Sequence, residues 1–322
     1  MRAMRYIRRR IATALLLLVA VSLLSFFLSS LVPGSYLDEM RLNPQVSPET
    51  LAQLRTHYGL DQPLYKRYVR WFSSAIRGDF GFSFAYNMPV SSLIWVRCRN
   101  TLLLAATAAL LTWIIAMPLG IASAAKGAWL DRISCSGSSF LLSVPEIAIL
   151  LALLAFAVRT GFVPVGGMAS GSIDGMDVWA QMKDVLLHMI VPVSALVLAG
   201  LPIVFQHTRT AMKEALEAPF IKAAQGHGIG TIRLLLRHVL PVAANPLISL
   251  LGLSIAGLVG GSLLAEVVTG WPGLGPLFVE SIFARDFDVV IAIVMLSSSL
   301  LVIGNAVGDL LLCAVDPRIR VE

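Results

Sequence analysis

Six stretches of this chain, residues 11–32, 101–125, 133–158, 185–206, 242–268 and 289–315, contain no lysine or arginine and only three carboxylates between them. A bilayer core about 30 Å thick is crossed by about 20 helical residues rising about 1.5 Å each. Each stretch is long enough to span, so the chain reads as an all-α membrane protein with six transmembrane helices. The composition agrees: 322 residues that are 57% hydrophobic and 14% charged, with a mean hydropathy of +0.80, lie outside the range of soluble domains. A soluble enzyme, a coiled coil and a disordered chain are excluded. Three dispersed cysteines (Cys98, Cys135, Cys313) give neither a disulfide framework nor a zinc site. The first stretch follows Arg8, Arg9 and Arg10 like a signal peptide, but it exceeds a signal core in length and Leu31-Val32-Pro33-Gly34 is a poor cleavage site, so it reads as a retained anchor.

Counting basic residues sets the orientation. With the N-terminus inside, the cytoplasmic pieces carry 14 basic and 5 acidic residues and the other side 11 of each. Both termini are therefore expected in the cytoplasm. The organisation read from this is a cytoplasmic start and first helix (1–32), an extracytoplasmic helical region (33–100) and a five-helix core (101–322) carrying a cytoplasmic loop at 207–241.

Two polar regions show structure of their own. In the outer region, Ser47-Pro48-Glu49 is a helix start with Gly59 as its stop, Leu51, Leu54 and Tyr58 sharing one face. After Pro63, Leu64, Tyr65, Tyr68, Trp71, Phe72 and Ile76 recur at helical spacing, which predicts an amphipathic helix at the membrane surface. In the loop, residues 217–228 predict a short helix with Pro219 in its first turn and glycines at its end. Phe220, Ile221 and Ala224 give it an apolar patch. Two readings stand: a docking surface for another protein, or packing against the chain's own spans.

Catalytic signatures are missing. There is no phosphate-binding G-x-x-x-x-G-K-[ST] and no H-E-x-x-H. His188 is the one histidine inside a span, with no strained glycine-serine turn to suggest a protease. The three intramembrane acids are Glu146, Glu266 and Asp309; Glu266 and Asp309 fall near the ends of their stretches, whereas Glu146 is central and follows Pro145. An acid in hydrocarbon is a functional candidate by default. Glu146 and Pro145 either line an aqueous path or sit hydrogen-bonded within the bundle.

Taken together, these residues resemble the inner-membrane permeases of ATP-binding-cassette importers, in the dipeptide, oligopeptide and nickel branch, and specifically the first of the two permeases. The family's cytoplasmic motif reads E-A-A, three residues, G, nine residues, then I-x-L-P. Ala223, Ala224, Gly228, Leu240 and Pro241 match it, with Lys222 in place of the acid and His238 in place of the isoleucine. Further matches are Gly59-Leu60-Asp61-Gln62-Pro63-Leu64-Tyr65, Gly78-Asp79-Phe80-Gly81-Phe82-Ser83, Ser143-Val144-Pro145, Trp271-Pro272-Gly273-Leu274-Gly275, Ala284-Arg285-Asp286 and Asp316-Pro317-Arg318-Ile319-Arg320. Gly34-Ser35-Tyr36 and Arg97-Cys98-Arg99-Asn100-Thr101 depart from the family pattern.

The resemblance implies a type I importer fold in a prokaryotic inner membrane. It implies a heterodimer with a second permease, two ATP-binding subunits and an extracytoplasmic binding protein. Glu217, Pro219, Phe220, Ile221, Lys222, Ala223, Ala224 and Gly228 are then expected to couple to an ATPase. This chain would have no enzyme activity and no cofactor, ATP and Mg being bound by the partners. The expected solute is a di- or oligopeptide, next nickel or a metal chelate. The alternative is an ion-coupled secondary transporter working through Glu146 and Asp309, although no internal repeat of the kind such folds carry is visible.

Overall fold

The computed structural model describes residues 2–32, 47, 49, 50, 53, 56, 61–125, 127–171 and 177–315. In chain order its elements are α1 (Arg2–Leu31), α2 (Leu64–Ala75), the strands β1 (Phe82–Ser83) and β2 (Met88–Pro89), α3 (Val90–Ala125), α4 (Ala128–Ser143) and α5 (Glu146–Thr160). There follow α6 (Val178–Leu216), α7 (Pro219–Gly226), α8 (Thr231–Leu234), a π-helical turn (Leu235–Val239), α9 (Leu240–Ala256), α10 (Leu258–Thr269), α11 (Leu274–Phe283) and α12 (Phe287–Val315). The expected helix start at Ser47 is visible as its hydroxyl accepting from the Thr50 amide at 3.2 Å. Pro48, Leu51, Leu54, Tyr58 and Gly59 of that expectation lie outside the described residues, as do the 34–36 departure and the 316–320 ending.

All six apolar stretches are helical through their interiors apart from breaks at Val144 and Pro145 in 133–158 and at Gly257 in 242–268, the latter stretch being divided between α9 and α10. Five helices are long and apolar enough to cross a membrane: Arg8–Leu31, Val90–Ala125, Val178–Leu216, Thr231–Ile255 and Phe287–Leu311. Two further pairs pass only as broken spans, Ala128–Ser143 with Glu146–Thr160 bent by 96° and Gly260–Thr269 with Leu274–Phe283 bent by 78°. That gives five crossings, or up to seven if each bent pair counts as one, a range that contains the six read from the sequence. The stretch 133–158 is bent at Pro145, into the pair α4 and α5. Its break has a local cause: the proline ring disfavours helical backbone in the residue before it, and Val144 (φ −92°, ψ 122°) and Pro145 (φ −57°, ψ 139°) are both extended.

The chain divides into two compact units, one of Met1–Arg5, Leu102–Trp271 and Leu301–Glu322, the other of Tyr6–Thr101 and Pro272–Leu300. In the first, α6 is the hub, packing on α4, α5, α9 and α10. Its length carries Val193 and Val197 onto Leu104 and Ala108 of α3 and onto the fully buried Trp271. Helices α9 and α12 approach closely at a pair of glycines: a Cβ on Gly252 would stand 2.7 Å from the Gly308 Cα. Small residues of this kind let membrane helices approach to backbone contact.

In the second unit the aromatic stripe of α2 packs inward. Trp71 is buried with Phe26 of α1 and Ile291 of α12, Tyr68 and Phe72 lie against them, and Ser22 and Tyr68 share a 2.9 Å hydrogen bond. Leu64, Tyr65 and Ile76 remain exposed. The expected amphipathic helix is present, and its central aromatics pack against α1 and α12, where rings at this spacing bury apolar area.

Candidate functional site

The loop after α6 carries the short helix α7. Pro219 opens α7 at its first turn, where the missing amide hydrogen costs nothing. Ile221 is 0% exposed, set among Ala211, Met212 and Ala215 of α6 with Leu234, Val239 and Ala243. Burying such a side chain is worth about 1.5–3 kcal/mol. Ala224 is half-buried against the same cluster, whereas Phe220 is 55% exposed beside exposed Lys222 and Ala223. The two readings of the Phe220, Ile221 and Ala224 patch divide between its residues: the chain's own spans cover Ile221 and most of Ala224, leaving Phe220 as the large apolar group facing outward. Glu217 and Pro219 are exposed as well. Gly228 ends the turn at φ 76°, and a Cβ at this position would meet nothing within 4 Å, so what holds glycine there is backbone conformation and not space.

At the root of this loop lies a cluster that sequence reading missed. Asp131, in the first turn of α4, accepts from Arg209 Nη2 at 2.8 Å, Lys213 Nζ at 2.6 Å and Ser123 Oγ at 2.7 Å, and Arg209 Nε adds a second guanidinium bond. Arg209 and Lys213 are four residues apart, hence on one face of α6. That spacing was the available signal, but nothing in the sequence says which acid meets them.

The bend between α4 and α5 puts Glu146 at the first helical position of α5, on a cavity of about 340 Å³. Ala108, Thr112 and Trp113 of α3, Gly200 of α6 and Ser254 and Ser262 of α9 and α10 are among its walls. Glu146 Oε1 is buried without a hydrogen-bond partner. Pro145 makes the bend but is not among the lining residues, and neither is Asp309. Glu266, near the end of its stretch, is fully buried within the protein and accepts from Ser262 Oγ at 3.1 Å. His188 is a core residue, its Nδ1–H donating to the Asp184 carbonyl at 2.8 Å.

In the other unit, two matched motifs meet. Asp286 Oδ2 accepts from Ser83 Oγ at 2.6 Å and from the Ala85 amide at 3.2 Å, and Ser83 Oγ accepts from the Tyr86 amide at 3.1 Å. Asp286 thereby pins the turn between β1 and β2. Burial raises its pKa above the usual carboxylate value despite these bonds.

Residues 116–321 match the family described as binding-protein-dependent transport system inner membrane component, and residues 3–105 match the N-terminal region of such membrane components. The oligopeptide transport system permease AppB of Bacillus subtilis is 33% identical over 318 residues, covering 98% of this chain and 99% of AppB. The glutathione transport system permease GsiC of Escherichia coli K12 is 32% identical over 321 residues, with 98% and 99% covered. Among solved structures, an inward-facing form of the MetNI methionine ABC transporter superposes with a TM-score of 0.57 at 19% identity, covering 70% of this chain and 96% of that one. The bent helices, the buried-root loop and the near full-length matches have one reading: this chain belongs to the family of inner-membrane components of binding-protein-dependent transport systems.

Proposed function

We propose that the chain is the permease subunit of an ATP-driven importer of peptides, with α7 as the lever that an ATPase moves. The observation that carries this is the division of α7 into a buried root at Ile221 and an outward face of Phe220, Lys222 and Ala223. A helix fixed to the spans on one side and open on the other transmits a push instead of absorbing it. Peptide as the solute is supported by AppB, a permease of an oligopeptide system. The reading includes two ATPases, a second permease completing the path, an extracytoplasmic binding protein, and the termini and α7 in the cytoplasm, as the charge count favours. ATP binding closes the ATPases and swings the lever, and the bundle exchanges inward-facing for outward-facing states.

The test is Ala223→Arg, which sets a long charged side chain on the open face without entering the core around Ile221. The variant is expected to insert normally, to lose co-purification of the ATPases, and to lose binding-protein-stimulated ATP hydrolysis. Wild-type values in both assays would remove α7 from the coupling role. Gly228→Val is expected to act more weakly, since a β-branched residue at this φ costs about 1–2 kcal/mol.

A further inference from the structure

We infer that the Glu146 cavity reads the free amino terminus of the transported chain, an inference that rests on the permease reading and names the feature of the solute this site selects. Apart from the indole of Trp113, the polar side chains that line the cavity present hydrogen-bond acceptors. Thr112 Oγ1 donates to the Ala108 carbonyl at 2.8 Å, Ser254 Oγ to the Leu250 carbonyl at 2.9 Å and Ser262 Oγ to Glu266 at 3.1 Å. With their protons committed inside the protein, these hydroxyls can offer a ligand only lone pairs. Glu146 adds a carboxylate to the wall, and its buried Oε1 has no hydrogen-bond partner within the protein. Its place at the start of α5 sets the negative charge at the positive end of a helix dipole. Among the described residues, no lysine, arginine or histidine lines the cavity. The complement to such a surface is a compact cation with several donors, and a primary ammonium has three.

The rest of the wall explains why only one end of the solute would be read. Alanines and glycines form much of it, including Ala105, Ala108, Gly200 and Gly261. These residues offer no side-chain functional groups with which to recognise one solute side chain over another. The volume of about 340 Å³ equals about ten waters at about 30 Å³ each, which is room for the first residue or two of a peptide. A carrier of chemically varied peptides needs one constant handle, and the amino terminus is the constant cation.

The experiment uses the complete transporter in ATP-fuelled vesicles, supplied with a mixture of short alanine-based peptides and the same peptides N-acetylated, uptake being read by mass spectrometry. A charge-assisted hydrogen bond of ordinary strength corresponds to about tenfold or more. Glu146→Gln is therefore expected to lower uptake of the free-amino peptides about tenfold while sparing any uptake of the acetylated ones. Glu146→Asp, which keeps the carboxylate, should retain at least about a third of wild-type uptake, and Asp309→Asn, outside the cavity, should keep the wild-type preference. Unchanged free-amino uptake in Glu146→Gln overturns the inference. So does an equal fall for both peptide forms, an Asp variant no better than Gln, or loss of the second permease from the purified complex, which would make Glu146 a subunit contact. If wild-type vesicles import neither form with ATP and every partner present, the importer reading itself fails, an outcome distinct from all of these.

Discussion

Asp131 and Glu146 open the two halves of one bent helix pair, α4 and α5, and their surroundings are opposite. Both stand in a first helical turn, where the helix dipole favours negative charge. Asp131 is met by a guanidinium, an ammonium and a hydroxyl, whereas Glu146 lines a cavity and leaves its buried Oε1 with no partner. The first arrangement consumes the carboxylate's capacity in holding α4 to α6. The second keeps that capacity unused in the folded chain, at a cost in stability that only a ligand's contribution would offset.

The comparison is broken first by truncating the paired acid. Asp131→Ala leaves Arg209 and Lys213 facing each other without a counter-charge. Their side chains are 26% and 39% exposed, so water recovers part of the loss. A fully buried broken pair costs about 3–5 kcal/mol and an exposed one under about 1, which places this variant near about 2 kcal/mol. Thermal unfolding in detergent, followed by tryptophan fluorescence, should show a clear fall in Tm, partly restored when Lys213→Ala is added. A Tm at the wild-type value would mean that the cluster does not hold the root of the loop.

Ser123→Ala sharpens the same point at about 1 kcal/mol, the ordinary net worth of one hydrogen bond. Glu146→Gln is expected to be smaller still or to raise Tm slightly, because it removes an ionisable group whose Oε1 has no partner to lose. If Glu146→Gln destabilised as much as Asp131→Ala, Glu146 would be a structural acid and the contrast would vanish.

Much of this architecture was legible in residue order, for reasons of scale. A stretch of about 20 apolar residues can do little else but span, and Pro219 with its following glycines marks α7 without tertiary information. Pro145 announced a bend near Glu146, but not one of 96°, because the angle depends on how α4 and α5 each settle on α6. What covers Ile221 and Trp71 was not legible for a common reason: periodicity identifies an apolar face and does not say what covers it. The contacts of Asp131 with Arg209 and of Asp286 with Ser83 join positions 78 and 203 residues apart, and local spacing is silent at that distance.

Glu280 is a third carboxylate and stands between the two extremes, exposed and bonded by the Tyr86 hydroxyl of the β1–β2 turn. Burial, and after it the bond and charge of Glu280, push the Tyr86 phenol up to about 12. In the unfolded chain a tyrosine ionises near about 10. A group whose folded value is raised contributes its stability in full below the unfolded value, so this contribution is intact below about pH 10 and is lost as pH rises through about 12. Tyr86 is half-buried and solvent screens the interaction, so the effect on Tm should be the smallest of those given. It is best read directly, as the alkaline absorbance titration of wild type minus that of Tyr86→Phe, which is expected to show one phenol ionising near 12. Glu280→Gln should move that midpoint down but not to about 10, because burial is the larger cause and survives the substitution. A wild-type midpoint near 10 would mean that Tyr86 is solvated and the bond unmade. A midpoint falling all the way to 10 in Glu280→Gln would make the carboxylate, and not burial, the controlling group.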